Sequence, residues 1–153
     1  MGRSCPTTLT RQDLPGGWFT AIHEQSDEIV ATAMALHNYK GKYPFWGELG
    51  WLAVDPAHSG KGLGMAVSAA VTARFIAAGY RRIHLFTEDF RLAALKTYLK
   101  LGYVPFLCSP GTEDRWRIIC QELGWPHVPD TWRSIAPGTV SRDLPEEEKR
   151  SDE

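Results

Sequence analysis

Residues 46–64 read Trp46-Gly-Glu-Leu-Gly-Trp-Leu-Ala-Val54, then Asp55-Pro56-Ala-His-Ser-Gly60-Lys-Gly-Leu-Gly64. The first nine residues have strand composition, and Asp55-Pro56 ends the run because the residue before a proline is pushed away from helix. A glycine-rich turn follows. Leu63, Val67, Ala70, Val71, Phe75 and Ala78 then recur at helical spacing, and Gly79 is placed to stop that helix. A strand, a glycine turn and a helix start in that order make an anion site. The first N–H groups of a helix have no partner in the helix, and the dipole behind them favours negative charge. Gly60, Gly62 and Gly64 put no Cβ between a ligand and the backbone, and Lys61 adds a positive charge. The expected ligand part is a phosphate or pyrophosphate, against a bare glycine turn that binds nothing. Two phosphate motifs are excluded by spacing. A Walker A loop needs Ser or Thr after its lysine, where Gly62 stands, and a dinucleotide fingerprint needs GxGxxG, whereas the glycines fall at 60, 62 and 64.

Working outward, Trp18–His23 and Ile29–Leu36 read as a hairpin about a turn at Ser26-Asp27-Glu28, with a second turn region at Asn38–Lys42. The segment before Trp18 is polar and carries Pro6, Pro15 and Gly16-Gly17, the composition of an arm or loop. On the other side, Arg82–Phe86 reads as a strand and Arg91–Leu101 as a helix ended by Gly102. Tyr103–Cys108 is expected to be a further strand and Glu113–Leu123 a third helix, with the prolines at 126, 129, 137 and 145 making the rest irregular. Strands alternating with helical patterns argue for an α/β or α+β sheet domain.

Composition narrows the classes. The chain has 153 residues, 43% apolar and 23% charged, enough for one core without metal or disulfide staples. The net charge is −1, but residues 143–153 hold six acids and two bases, so the rest carries +3. That suits a small anionic ligand and excludes a strongly basic nucleic-acid binder. The three cysteines form no CxxC pair, which reads as reduced and cytoplasmic. The five histidines are scattered without zinc spacing, so no metal is expected and they read as ordinary surface or half-buried residues. No stretch reads as a signal peptide or a membrane span.

Glu48-Leu-Gly-Trp-Leu-Ala-Val-Asp-Pro56 with Gly60-Lys-Gly-Leu-Gly64 resembles the coenzyme A-binding motif of the GNAT acetyltransferases. Ala94-Leu-Lys-Thr-Tyr98-Leu-Lys-Leu-Gly-Tyr103-Val-Pro resembles that superfamily's next motif. The resemblance covers Trp46–Phe106 and implies the acyl-CoA N-acyltransferase fold: a mixed, mostly antiparallel sheet with splayed strands and flanking helices. Chain length suggests one domain over 1–142, with a core at 18–108 and an extension at 109–142, and the composition of 143–153 reads as a flexible acidic tail. The strand 46–54 would splay from 82–86. Leu52, Ala53 and Val54 would pair with the pantetheine amides. Ser59, Gly60, Lys61, Gly62, Leu63, Gly64 and Met65 would hold the pyrophosphate, and a backbone N–H near Val54 would polarise the thioester carbonyl.

The implied activity is transfer of acetyl from acetyl-CoA to an amine, by direct attack in a ternary complex. The amine must shed a proton, and Glu48 matches a family position for a base; its other reading is a carboxylate that only orients substrate. The leaving thiolate needs a proton or a hydrogen bond. Tyr98 matches the family's tyrosine, since a phenol with a pKa of about 10 can supply a thiol with a pKa of about 8.5; its other reading is a core aromatic. Cys108 is the rival covalent nucleophile and lacks an evident base.

Some positions depart from the family. Ser59 stands where Arg or Gln is usual, and Arg91 where Asn is common; Arg91 would reach a cofactor phosphate or point to solvent. Only 17 residues precede Trp18, fewer than the family's strand and two helices. That leaves three expectations: an open acceptor side, a homodimer partner completing the domain, or a start further upstream. The partners expected are a small-molecule or peptide amine, with no nucleic acid and no membrane. The alternative function is an acyl-CoA-binding or regulatory module without an acceptor site. A different acyl donor or acceptor on the same fold is the third reading.

Overall fold

The structure, a computed structural model, describes residues 13–37 and 46–135, so the turn region at 38–42, the arm before residue 13 and the acidic tail lie outside the described residues. The chain divides into two compact units, Met1–Glu88 and Asp89–Glu153.

The first unit carries β1 (Asp13–His23), β2 (Glu28–His37), β3 (Trp46–Val54), α1 (Leu63–Ala77) and β4 (Arg82–His84). The strands lie in the order β1-β2-β3-β4. The pairs β1–β2 and β2–β3 are antiparallel and β3–β4 is parallel, which makes the sheet mixed and mostly antiparallel. The turn closing β1–β2 has Asp27 at φ +58, a left-handed position that aspartate tolerates.

Strand β1 starts five residues earlier than the polar composition before Trp18 suggests. Its first part is irregular: the register shifts between Asp13, opposite Leu36, and Trp18, opposite Met34. Pro15 and Gly16 occupy that break. There Arg74 of α1 donates through Nε and Nη2 to the Pro15 carbonyl, at 3.1 and 2.7 Å. The break therefore ties the first strand to the end of the helix.

Helix α1 packs on β1, β2 and β3 through Val67, Ser68, Val71 and Phe75. The spacing expected from sequence holds for the three apolar residues. Gly47 explains the closeness of the packing: a Cβ there would stand 2.5 Å from Phe75 Cε1. Because successive residues of a strand face opposite ways, Gly47 faces α1 and Glu48 faces the other side of the sheet.

The second unit holds α2 (Leu92–Lys100), α3 (Pro110–Leu123) and α4 (Pro129–Ile135). Among its described residues Leu95, Tyr98, Leu99, Pro105, Ile119, Cys120 and Trp132 are buried. Gly124, at φ +61, caps α3. Two sequence expectations fail here. Residues 103–108 form no strand, because Pro105 has no N–H to give to a ladder in the middle of the run. Residues 129–135 are helical rather than irregular. Pro129 stands at the helix start, where its missing N–H costs nothing, and Trp132 is buried against the rings of Trp116 and His127. Likewise β4 stops at His84, two residues short of the expected Phe86.

Replacing Gly47 by alanine drives a methyl group into the Phe75 ring. Urea unfolding is expected to show a loss of about 1–3 kcal/mol, the range for overpacking a tight core, with the sheet still formed by circular dichroism.

Candidate active site

Strand β3 has two different edges. Against β2 it is paired along its length, from Gly47 opposite His37 to Val54 opposite Ala31. Against β4 it pairs only at Trp46–Arg82, Gly47–Ile83 and Glu48–His84. From Leu49 to Val54 the second edge has no strand partner among the described residues. Leu52, Ala53 and Val54 thus offer backbone groups along an open edge.

A bulge lies within this open stretch. Thr32 faces Ala53 and Met34 faces Gly50, so β3 spends one residue more than β2 between these rungs. Trp51 lies in the interval with φ +54, and its side chain is 69% exposed. A left-handed tryptophan is a strained residue, and a bulge bends and twists its strand. The sequence carries no signal for this, because nothing in Gly-Trp-Leu marks a left-handed site at the tryptophan rather than at the glycine.

The corner after β3 is pinned. The Asp55 N–H donates to the Val30 carbonyl at 2.9 Å, and the Asp55 carboxylate accepts from the Ala57 N–H at 2.9 Å. A single 3₁₀ turn, Pro56–His58, leads into Ser59 and the glycines. Gly60 and Gly62 have φ of +75 and +77, conformations that favour glycine, and a Cβ at either would meet nothing within 4 Å. Gly64 is ordinary helix, and its added Cβ would lie 3.5 Å from Val54 Cγ2.

Gly62 caps α1 without any side-chain hydrogen bond, and no acid stands in the first turn. The N–H groups of Leu63, Gly64 and Met65 precede the first intrahelical bond, from Ala66 N–H to the Gly62 carbonyl. Together these features fit an anionic phosphate: unpaired donors, open space above the glycines and no competing carboxylate. Lys61 is held beside the loop by His58, its Nζ 3.2 Å from Nδ1.

Glu48 is buried, with Oε2 3.5 Å from His84 Nε2. His84 was not distinguished by the sequence from the other histidines. Its place opposite Glu48 follows from the parallel register, which neither segment shows alone.

The second unit holds Arg91 and Tyr98. Arg91 stands at the N-cap of α2, exposed, with its guanidinium 5.6 Å from the centre of the Phe90 ring. Tyr98 is buried on α2, 6.2 Å from the Tyr103 ring between centroids. Burial pushes its phenol above the usual value; Arg91 offsets part of this and Tyr103 adds to it. The phenol therefore keeps its proton at neutral pH, as a donor must. Cys108 is exposed, its Sγ 3.9 Å from the Thr112 hydroxyl, a group that is no base. Burial pushes the Cys120 thiol up. The tryptophans of this unit include one, Trp132, that serves as core.

A family model described as the acetyltransferase (GNAT) family matches residues 3–103. The chain belongs to this family. Mycothiol acetyltransferase of Nocardia farcinica is 31% identical over 91 residues, covering 60% of this chain and 30% of that protein. Its counterpart from Gordonia bronchialis is 33% identical over 89 residues, covering 58% and 28%. The chain thus spans under a third of the length of these relatives. Among solved structures, glucosamine-6-phosphate N-acetyltransferase from Arabidopsis thaliana has a TM-score of 0.50 at 20% identity, covering 58% of this chain and 60% of that one. A Mycobacterium tuberculosis protein in complex with CoA has a TM-score of 0.50 at 18% identity, covering 76% and 70%. These likenesses establish the fold of this GNAT chain as the acyl-CoA N-acyltransferase fold. Among the described residues no helix is long and apolar enough to cross a membrane.

The raised Tyr98 pKa has a stability consequence. The folded state holds this proton more tightly than the unfolded chain, whose tyrosines titrate near 10, so stability falls as pH rises past that value. Tyr80, also raised chiefly by burial, acts in the same direction. Urea midpoints measured between about pH 9 and 11 are expected to fall for the native chain. The fall should be smaller for Tyr98→Phe, and equal slopes would remove the buried phenol as its cause.

Proposed function

We propose that this chain binds acetyl-CoA and transfers its acetyl group to an amine by direct attack, without an acyl-enzyme. The observation that carries the proposal is one continuous segment. An open strand edge at Leu52–Val54 runs through a pinned corner into a glycine turn and an uncapped helix start. Such a segment suits a ligand with amides at one end and phosphates at the other, which is the chemistry of coenzyme A. Family membership supports the acyl donor, and the named relatives support an amine acceptor in general.

In this proposal the N–H groups from Ser59 to Met65 bind the pyrophosphate, with Lys61 adding charge and compensating for Ser59. The open edge of β3 takes the pantetheine amides, and an N–H near Val54 polarises the thioester carbonyl. Glu48 takes the proton that the ammonium form of the acceptor must lose before its lone pair can attack. Tyr98 gives a proton or a hydrogen bond to the departing sulfur, and Arg91 is assigned to a cofactor phosphate.

Calorimetric titration with acetyl-CoA tests the site first. Micromolar binding that weakens with the dephospho analogue is expected; a folded sample that binds neither would refute the phosphate assignment. Gly64→Asp sharpens the test. The new carboxylate suits a helix start, so the fold should be unharmed or slightly stabilised, while repulsion should weaken acetyl-CoA by roughly tenfold or more, about 1.4 kcal/mol.

Turnover on a panel of amines tests the chemistry. Tyr98→Phe and Glu48→Gln are each expected to lower kcat by roughly tenfold or more while acetyl-CoA affinity changes little. Equal losses in affinity and turnover would make both residues structural. Binding without turnover on any amine would establish the acyl-CoA-binding module instead.

A further inference from the structure

Glu48 is a buried carboxylate on the face of the sheet away from α1, and among the described residues its Oε2 has no hydrogen-bond partner. A buried polar oxygen left without a hydrogen bond costs free energy. Its register partners are Leu36 on β2, which is apolar, and His84 on β4.

The His84 ring is held in place by two others. Trp46 lies 5.4 Å away and Phe86 5.3 Å, both edge-on. Arg82, two residues earlier on β4, is occupied over the Trp46 ring at 5.2 Å. In this setting Nε2 sits 3.5 Å from Glu48 Oε2. That is longer than a good hydrogen bond, the usual state of a catalytic contact before substrate tightens it. The pair also occupies the last shared rung of β3 and β4, where the open edge begins.

We propose that His84 is the positioning residue for Glu48: an Nε2–H donated to Oε2 fixes the carboxylate so that its other oxygen meets the acceptor amine. This rests on the acetyltransferase reading above. The proton balance is simple. The ammonium loses one proton to Oε1, the Nε2–H stays on His84, and no group is oxidised or reduced.

The role is specific to one atom, and that makes it testable. The amide nitrogen of glutamine can stand where Nε2 stands, whereas that of asparagine reaches only the place of Nδ1. With an amine found by the panel, His84→Leu and His84→Asn are expected to lower kcat roughly tenfold, leaving the KM for acetyl-CoA unchanged. His84→Gln should recover most of the loss. In a Glu48→Gln background the His84 changes should cost nothing further in kcat. Gln no better than Leu, or additive losses with Glu48→Gln, would overturn the positioning role while acetyl transfer stood.

A second readout needs no acceptor. Urea unfolding of Glu48→Gln, His84→Leu and the double variant closes a cycle on the contact itself. Non-additive energies support the contact, and additive ones overturn it. If native protein binds acetyl-CoA but acetylates no amine, the acetyltransferase reading falls, and this cycle still decides the contact.

Discussion

The parallel pairing of β3 with β4 lasts three rungs and stops at Glu48–His84, and the rest of the first unit is arranged around that stop. Strand β3 is still bound to β2 as far as Val54, so it cannot follow β4 and cannot leave the sheet. The result, among the described residues, is a strand with one satisfied edge and one open edge. Unpaired backbone groups along an edge favour a partner that can hydrogen-bond to them, and an extended amide-bearing chain is such a partner. The extra residue at Trp51 bends β3 within the open stretch, which separates the part of the strand that pairs with β4 from the part that does not.

The second constraint is where α1 begins. Its C-terminal half is fixed by Phe75 against Gly47 and by Arg74 on the Pro15 carbonyl. The chain approaches its first turn from the corner that Asp55 makes with Val30 and Ala57. The N–H groups at the start of α1 follow that corner by way of the glycine turn. The glycines at left-handed φ make that short connection possible. The strand, the loop and the helix start are continuous in the chain, and the packing of α1 sets where the last of them begins.

Much of this was readable from residues. The glycine turn, the helix after it and the hairpin before it announce themselves by spacing and by turn chemistry, because local physics decides them. Other features depend on partners distant in sequence. His84 is one histidine among five until the register sets it against Glu48. Trp51 looks like an ordinary strand residue until β2 and β3 are laid side by side. Prolines misled in both directions: Pro105 breaks a run that otherwise reads as a strand, and Pro129 starts a helix where it was read as a breaker. Their effect depends on whether the missing N–H was needed, which composition does not record. Tyr98 was found through its motif, but its raised pKa comes from burial, a tertiary property.

Two of the exceptions to good folding physics lie close together on β3. Most of the first unit obeys the rules: apolar residues of α1 against the sheet, aspartate at a turn, glycine at positive φ. Among the described residues the violations are a tryptophan in a left-handed bulge, a buried carboxylate beside a histidine with no hydrogen bond to its Oε2, and the fully buried Ser68 of α1, whose Oγ has no partner. A buried pair of this kind contributes little to stability, and well-packed apolar residues often do as well or better. Backbone strain of order 1–3 kcal/mol likewise has to be offset elsewhere in the fold. The first two violations fall on β3, one at the last rung shared with β4 and the other three residues beyond it. Strained or unsatisfied groups persist where the surrounding structure holds them, and such groups cluster at functional sites; these two lie on the strand that leads into the glycine turn.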